Sequence, residues 1–143
     1  MVLRDAAGSD DREFVFEVRN DPTTIQYSYS KRPVGWEEHK AWWLKVNDLI
    51  FIAEGEDQQK LGVVRLSEVD AQTAEIHVML HPKARRQGRA VVLLALGREE
   101  ARKLGYTRVL ARVDAPNTAS LRAFLKEGYR VTSPGVLLLE RDI

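Results

Sequence analysis

The sequence predicts a single mixed α+β domain, in which one mostly antiparallel sheet of six or seven strands carries about four helices on its two faces. Short apolar segments bounded by turn residues predict strands, and apolar residues at helical spacing predict helices. The two kinds of element follow one another in the order β-α-α-β-β-β-α-β-α-β-β. The length of 143 residues suits one domain, with no visible linker or repeat.

A first strand over residues 2–4 and two helices are predicted before the sheet continues. Ser9, Asp10 and Asp11 are typical of a helix N-terminus, and apolar residues at helical spacing extend this helix to residue 18 or 19. Residues 21–35 are predicted to form an irregular loop, which at this length is often a binding loop. A second helix is predicted over residues 36–46.

The remaining chain is predicted to alternate between strands and two helices. Strands are expected over residues 49–53, 61–66, 73–80 and 107–113. A helix over residues 88–104 ends at Gly105, a typical C-terminal cap, and a second helix begins after Asn117 and closes at Gly128. The last two strands are expected over residues 129–132 and 136–139, joined through residues 133–135.

Composition excludes several classes of function. The formal net charge is only +1, so no global field attracts nucleic acid. The absence of cysteine excludes disulfides, thiolate metal sites and cysteine nucleophiles, and three isolated histidines lack the spacing of metal ligands. With no signal-like or membrane-spanning segment, we expect a cytoplasmic monomer or homodimer that binds no membrane.

The loop before the longest predicted helix carries a phosphate-binding pattern, Arg/Gln-x-x-Gly-x-Gly/Ala. Unpaired N–H groups and the helix dipole favour anions there, and Gly88 lets the backbone approach a ligand closely. The sequence therefore predicts a pyrophosphate site, although a basic turn before a helix would give the same pattern. Its residues are Arg85, Arg86, Gln87, Gly88, Arg89 and Ala90.

A second pattern, Asn-x-x-Ser-x-x-x-Tyr/Phe-x-x-x-Gly-Phe/Tyr, follows at Asn117, Ser120, Phe124, Gly128 and Tyr129. Together the two patterns resemble the GNAT superfamily of acyl-CoA-dependent N-acetyltransferases. The resemblance is strongest over residues 75–130, and it covers the element order of the whole chain, residues 1–143.

The resemblance implies an acetyl-CoA site between two splayed strands. The acetyl-pantetheine arm would follow the edge of the strand that ends at Leu80, and the pyrophosphate would lie on the N–H groups of residues 86–90. Asn117, with Ser120 nearby, would contact the pantetheine arm, a role that can coexist with helix capping. No metal is implied. The expected cofactor contacts are Leu80, Arg85, Arg86, Gln87, Gly88, Arg89, Ala90, Asn117, Ser120 and Phe124.

Glu75 and His77 are the candidate bases. Transfer to an amine requires removal of a proton, directly or through water, and alternation places both side chains on one face of their strand. Glu75, at about the position where the superfamily often carries its base, is preferred. Either residue could instead be an ordinary polar group at the sheet edge.

Phe124 departs from the superfamily pattern. Many members carry a tyrosine at this position that protonates the leaving thiolate, and phenylalanine has no proton to give. Tyr129, a water molecule or no general acid could replace it. We expect the Phe124 ring to pack in the core. The departure also leaves room for a non-catalytic acyl-CoA sensor.

The acceptor side resembles the sugar-nucleotide branch of the superfamily, whose members acetylate the 4-amino group of a UDP-linked amino sugar. The resemblance rests on residues 19–22, 36–43, 50–54, 62–66 and 74–78. In that branch an arginine and a histidine matching Arg19 and His39 contact the nucleotide-sugar, although both could instead be helix-surface residues. Aromatic side chains could stack on the uracil or the sugar, namely Tyr27, Tyr29 or Trp42. The three tryptophans, Trp36, Trp42 and Trp43, are expected in the core.

These expectations combine into direct acetyl transfer to the primary amine of a nucleotide-activated amino sugar. A covalent acetyl-enzyme is not expected, since the chain has no cysteine to carry the group. Acetylation of a protein α-amine, a lysine or another small amine is the alternative within the same class.

Overall fold

The computed structural model describes residues 1–28, 30–133 and 137–143. Over these residues the chain forms a seven-stranded sheet in the order β1-β2-β3-β4-β5-β7-β6. Neighbouring strands are antiparallel except for β4 and β5, which are parallel. The strands are β1 Val2–Asp5, β2 Leu49–Glu54, β3 Lys60–Glu68, β4 Thr73–Leu80, β5 Arg108–Val113, β6 Arg130–Ser133 and β7 Leu137–Asp142. The helices are α1 Gly8–Arg19, α2 Pro22–Tyr27, α3 Trp36–Lys45, α4 Arg89–Lys103 and α5 Thr118–Lys126.

The predicted fold class is confirmed, and the predicted order of elements along the chain agrees with the structure except for one element that was missed. Residues 22–27, expected to be part of an irregular loop, form helix α2. The Asp21 side chain caps it by accepting a hydrogen bond from the Thr24 N–H at 3.2 Å, and Pro22 occupies its first turn. Residues 134 and 135 of the expected connection, and residue 136 of the last predicted strand, lie outside the described residues.

Two apolar layers hold the helices against the sheet. Helices α4 and α5 cover one face, where Leu93, Leu94 and Phe124 pack with the sheet's inward side chains. Gly97 permits close approach of α4, since a Cβ there would lie 2.6 Å from Ile76 Cδ1. Helices α1 and α3 cover part of the opposite face through a smaller core of Phe14, Val15, Val18, Ile52 and Val63.

The sheet opens between its two parallel strands. Strand β4 pairs with β5 only from Thr73 to Glu75, whereas its pairing with β3 continues to Leu80. Residues 76–80 of β4 and 111–113 of β5 therefore diverge and form the sides of what we call the β4–β5 cleft. The loop before α4 and the turn before α5 follow the two strands at its open end.

Candidate active site

Glu75 and His77 stand together at the start of the β4–β5 cleft. Both side chains project from the same face of β4, and His77 Nε2 lies 3.2 Å from Glu75 Oε2. The Glu75 side chain is 16% exposed and that of His77 is 35% exposed. The predicted pairing of the two residues on one face of the strand agrees with this arrangement.

Two arginines that the sequence analysis did not single out complete these surroundings. Arg65 lies directly opposite His77 in the β3–β4 register and forms an ion pair with Asp48 at 2.9 Å. Arg112, on β5, places its Nε atom 3.8 Å from Glu75 Oε1. Neither arginine belongs to a local motif, and only the register across strands brings them to this site.

The charge state of His77 follows from this environment. Burial lowers the pKa of His77 to about 4, and the positive charges of Arg65 and Arg112 also lower it, against a smaller opposing effect of Asp48. The imidazole is therefore neutral at pH 7, so Glu75 is the anionic member of the pair.

The loop over residues 85–90 presents backbone N–H groups at the open end of the cleft. Arg86 and Gly88 have positive φ angles of 64° and 70°, and Gly88 precedes the first turn of α4. In the described part of the chain, no hydrogen bond occupies the N–H groups of residues 86–88, and the next N–H groups are unpaired at any helix start. No protein atom lies within 4 Å of the position that a Gly88 Cβ would take. The loop therefore has both the donors and the space that an anion requires.

Arg85 does not serve this loop as a free phosphate ligand, which corrects the expectation for its side chain. Its Nη1 atom forms an ion pair with Asp21 Oδ2 at 2.8 Å, and its Nη2 atom donates to Thr24 Oγ1 at 3.1 Å. Arg86 and Arg89 pair with no acid among the described residues, and Arg86 and Gln87 are exposed. The available cationic side chains are therefore those of Arg86 and Arg89.

The opposite side of the cleft ends at the N-terminus of α5. Asn117 Oδ1 accepts a hydrogen bond from the Ser120 N–H at 3.2 Å, so the capping role is present. The Asn117 Nδ2 atom donates to no protein group in the described ranges. Leu80 and Ser120 are both half-buried. A ligand in the cleft could therefore use the free amide of Asn117 without disturbing the helix cap.

Phe124 lies in the core, as expected for its ring. It is 3% exposed and packs edge-on against Tyr129, with ring centroids 4.9 Å apart. The Tyr129 hydroxyl is buried and has no hydrogen-bond partner among the described residues. Burial and the charge of Glu127 raise the pKa of Tyr129, so it remains protonated at neutral pH.

Arg19 and His39 are brought together, and His39 is enclosed rather than exposed on its helix. His39 is fully buried: its Nε2 atom donates to the Arg12 carbonyl at 2.8 Å, and its Nδ1 atom lies 3.2 Å from Arg19 Nη1. Burial lowers the pKa of His39, which keeps the ring neutral, so Nδ1 accepts from the guanidinium. Both ring nitrogens of His39 are engaged within the protein, so the ring has no free nitrogen for an acceptor substrate. Its contact with Nη1 instead orients the Arg19 side chain.

Trp42 provides the second support for Arg19. The Arg19 Cζ atom lies 4.6 Å from the ring centroid of Trp42, and Arg65 Cζ lies 5.5 Å from it. The three tryptophans are half-buried around His39. Trp42 and Trp43 pack against the smaller core, in part agreement with the expectation, whereas Trp36 is not part of either core cluster of the described ranges. Of the other proposed stacking residues, Tyr27 is half-buried and Tyr29 lies outside the described residues.

Metal sites and membrane-spanning helices are both absent from residues 1–28, 30–133 and 137–143. In these ranges no group of three or more His, Cys, Asp or Glu side chains is arranged to hold a metal ion. None of the helices in the same ranges is long and apolar enough to cross a membrane.

Comparison with known proteins matches this architecture to a family. The acetyltransferase (GNAT) domain family matches residues 1–130. An uncharacterized protein of Methanocaldococcus jannaschii is 28% identical over 133 residues, or 87% of this chain. Mycothiol acetyltransferase of Corynebacterium glutamicum is 30% identical over 110 residues, or 72% of the chain. The matches span only 27% and 37% of the lengths of these two relatives.

Solved structures share the whole fold. A domain from Methanocaldococcus jannaschii superposes with a TM-score of 0.88 at 22% identity, covering 99% of this chain and 97% of that one. Spermidine N-acetyltransferase from Vibrio cholerae, in complex with CoA and spermine, gives 0.87 at 16% identity, covering 99% and 94%. A phosphinothricin acetyltransferase from Sinorhizobium meliloti, in complex with AcCoA, gives 0.82 at 17% identity, covering 99% and 88%. At these identities the likeness establishes the fold.

Proposed function

This chain belongs to the GNAT family of acetyltransferases, and we propose that it transfers the acetyl group of acetyl-CoA directly to a primary amine. One observation carries the proposal: the sheet opens at Glu75, so a carboxylate, a strand edge and a loop of free N–H groups meet at one cleft. A long ligand with a pyrophosphate at one end and a reactive thioester at the other matches this order of groups.

Acetyl-CoA would be held mainly by backbone atoms. The N–H groups of residues 86–90 suit the pyrophosphate, and the space beside Gly88 allows it to approach the loop. The edge of β4 over residues 76–80 offers hydrogen bonds to the amides of the pantetheine arm, and Asn117 Nδ2 offers another from the opposite side. Arg86 and Arg89 would neutralise phosphate charge.

Glu75 is proposed as the base. An aliphatic amine arrives largely protonated at pH 7, and the Glu75 carboxylate would accept its proton directly or through one water molecule. The neutral nitrogen would then attack the thioester carbonyl: the N–C bond forms, the C–S bond breaks, and the nitrogen loses its second proton to solvent. His77 is less suited to hold a proton because Arg65 stands opposite it.

The thiolate of CoA would leave without a protein acid. Phe124 has no proton to give, and the Tyr129 hydroxyl is enclosed in the core. A thiolate is a stable enough anion to leave as such and take its proton from water.

The acceptor is proposed to be a nucleotide-activated amino sugar, bound through its phosphates by Arg19. This guanidinium is half-buried and contacts neutral groups, the His39 ring and the Trp42 face. Glu38 acts on it only through its charge, without an ion pair within 4.0 Å, and forms its own ion pair with Arg32. The Arg19 guanidinium can therefore still meet an anion, and an arginine can bind a phosphate through two hydrogen bonds.

The charged surroundings bear on the alternative acceptors. The positive charges of Arg19, Arg65 and Arg112 are offset by the negative charges of Glu38, Asp48 and Glu75, so charge alone does not exclude a polyamine. A protein α-amine or lysine would need an acidic or strand-pairing groove, and in this proposal the pantetheine arm occupies the open edge of β4. A non-catalytic acyl-CoA sensor remains the alternative of a different class.

The test is release of the CoA thiol from acetyl-CoA, with a UDP-linked 4-amino sugar assayed beside a panel of peptides and polyamines. Turnover on the sugar nucleotide alone supports the proposal in full. Turnover confined to peptides or polyamines contradicts the acceptor and keeps the chemistry. Binding of acetyl-CoA by calorimetry with no turnover on any amine favours the sensor.

A further inference from the structure

Helix α2 is only weakly anchored to the core. None of its six residues is fully buried, and its half-buried apolar residues are Ile25 and Tyr27. A helix this short is not stable on its own. Helix α2 lies in the segment between Asn20 and Val34, whose two ends are joined by hydrogen bonds. Asn20 Nδ2 donates to the Val34 carbonyl at 2.9 Å. The Val34 N–H donates back to Asn20 Oδ1 at 2.7 Å. The helix itself must be held by other polar contacts.

The N-terminus of α2 is attached to the 85–90 loop. Asp21 Oδ2 caps the helix and also pairs with Arg85 at 2.8 Å, while Arg85 reaches Thr24 Oγ1 at 3.1 Å. The two charged side chains are 14% and 26% exposed. Burial raises the pKa of Asp21, but the hydrogen bonds from Arg85 and from the Thr24 N–H, together with the charge of Arg85, outweigh burial, and the net shift is downward. The carboxylate is therefore charged and engaged at neutral pH.

The C-terminal end of α2 is attached to the opposite side of the β4–β5 cleft. Lys31 Nζ donates to the Gln26 carbonyl at 3.1 Å and to Asp114 Oδ2 at 3.0 Å. Asp114 follows directly after β5, just as the 85–90 loop follows β4. One ion pair thus ends on each side of the opening in the sheet.

We propose that the pairs Asp21–Arg85 and Lys31–Asp114 act as positioning residues that hold α2 across the mouth of the β4–β5 cleft and couple acetyl-CoA binding to acceptor binding. The inference rests on the proposed function. Arg85 directly precedes the residues whose N–H groups are offered to the pyrophosphate. Helix α2 begins shortly after Arg19, the residue proposed to bind the acceptor. A ligand that orders the 85–90 loop therefore also fixes α2, and the coupling is reciprocal between the two substrates.

The test uses charge reversal and charge exchange across the cleft. The variants are Lys31→Glu, Asp114→Lys and the double variant that exchanges the two charges. Lys103→Glu is the matched control, because Lys103 is similarly exposed, at 58% against 53% for Lys31, and also forms an ion pair, with Glu100. Amide exchange of residues 22–27 is measured in the free proteins. The acceptor KM at saturating acetyl-CoA is measured with the UDP-linked 4-amino sugar, or with whichever amine the panel shows is turned over.

Each single reversal should accelerate amide exchange in α2 and raise the acceptor KM by about two- to fivefold, the range expected for an exposed ion pair. The charge-exchanged double variant should recover both values, and the control should match the wild type. Arg85→Met, which removes the less exposed pair, should raise the acceptor KM by about tenfold.

The inference and the proposed function fail differently. A wild type that binds no acetyl-CoA overturns the proposed function and the coupling with it. A wild type that turns over, with single reversals that leave the acceptor KM unchanged or a double variant that recovers nothing, overturns the coupling alone.

Discussion

Glu75 and His77 occupy one face of β4 within 3.2 Å of each other, yet their surroundings give them different charges at neutral pH. Burial and two arginines keep the imidazole neutral, whereas Arg112 stands beside the carboxylate. The carboxylate is therefore the group that can attract an ammonium ion and receive its proton. This difference is what makes the two candidate bases separable by substitution.

Replacing Glu75 with glutamine should lower kcat by about 100- to 10,000-fold, the usual contribution of a general base. The acetyl-CoA Kd should not change, because the side chain lies beside the reacting end and away from the 85–90 loop. Steady-state kinetics and calorimetry measure the two quantities. Glu68→Gln is the control, since Glu68 is an exposed carboxylate that accepts a hydrogen bond from Tyr106. Near-normal turnover in Glu75→Gln, with loss in His77→Gln, would assign the base to His77.

The sequence could place Glu75, His77 and Asn117 because each belongs to a local pattern, a strand alternation or a helix cap. It could not place Arg65 and Arg112, whose approach depends on the register between β4 and its two neighbours. It also assigned Arg85 to phosphate and His39 to the acceptor. Their actual partners, Asp21 and the Arg12 carbonyl, are 64 and 27 residues distant in the chain.

At the scale of elements, the site depends on how α4 begins. Gly88 adopts a left-handed backbone conformation immediately before the helix, and this turn directs the N–H groups of the loop toward the cleft. The position is open to solvent, so the glycine is required by its φ angle and by ligand approach rather than by packing against protein atoms. Gly105 has the same type of conformation at the other end of α4, with the same open space.

These two glycines form a matched pair for substitution. Valine at either position should cost about 1–2 kcal/mol of stability, since a β-branched residue is strained at positive φ. Only Gly88→Val should also weaken acetyl-CoA binding, by about tenfold or more, because only there does the strain disturb the phosphate-binding N–H groups. Thermal unfolding and calorimetric titration separate the two effects. Equal acetyl-CoA affinity in folded Gly88→Val and Gly105→Val proteins would refute the pyrophosphate assignment.

Elements with apolar periodicity were predictable, and helix α2 was not. The strands and helices of the sheet core carry alternating or helical patterns because burial selects them, and their order was correct. Helix α2 has no fully buried residue and is held by a cap and two ion pairs, so its short sequence contains no clear periodic signal. Residues 21–35 were predicted to form an irregular loop, although Asp21 followed by Pro22 is typical of a helix start.

At the scale of the whole molecule, burial of neutral histidines links folding to pH. The folded protein holds His77 at a pKa of about 4, whereas the ordinary value near 6.5 applies in the unfolded chain. His39 shifts in the same direction through burial. Between these pH values the unfolded state binds protons that the folded state does not, so stability is complete above about pH 6.5 and falls as the pH decreases toward 4. The Asp11 carboxylate, whose pKa is lowered by Arg4 and Lys60 against burial, adds its own loss only below about pH 4.

The free energy of unfolding should therefore decrease by about 1–2 kcal/mol between pH 7 and pH 4 through His77 alone. This is less than the full pKa difference would give, because the side chain is 35% exposed and solvent weakens the effect. His77→Gln should flatten the pH dependence over this range, as followed by urea unfolding at several pH values. His81→Gln is the control, because it leaves His77 and His39 in place and should preserve the slope. A His77→Gln protein with the wild-type slope would show that the imidazole is solvated in the folded state. Burial would then no longer keep His77 neutral beside Glu75.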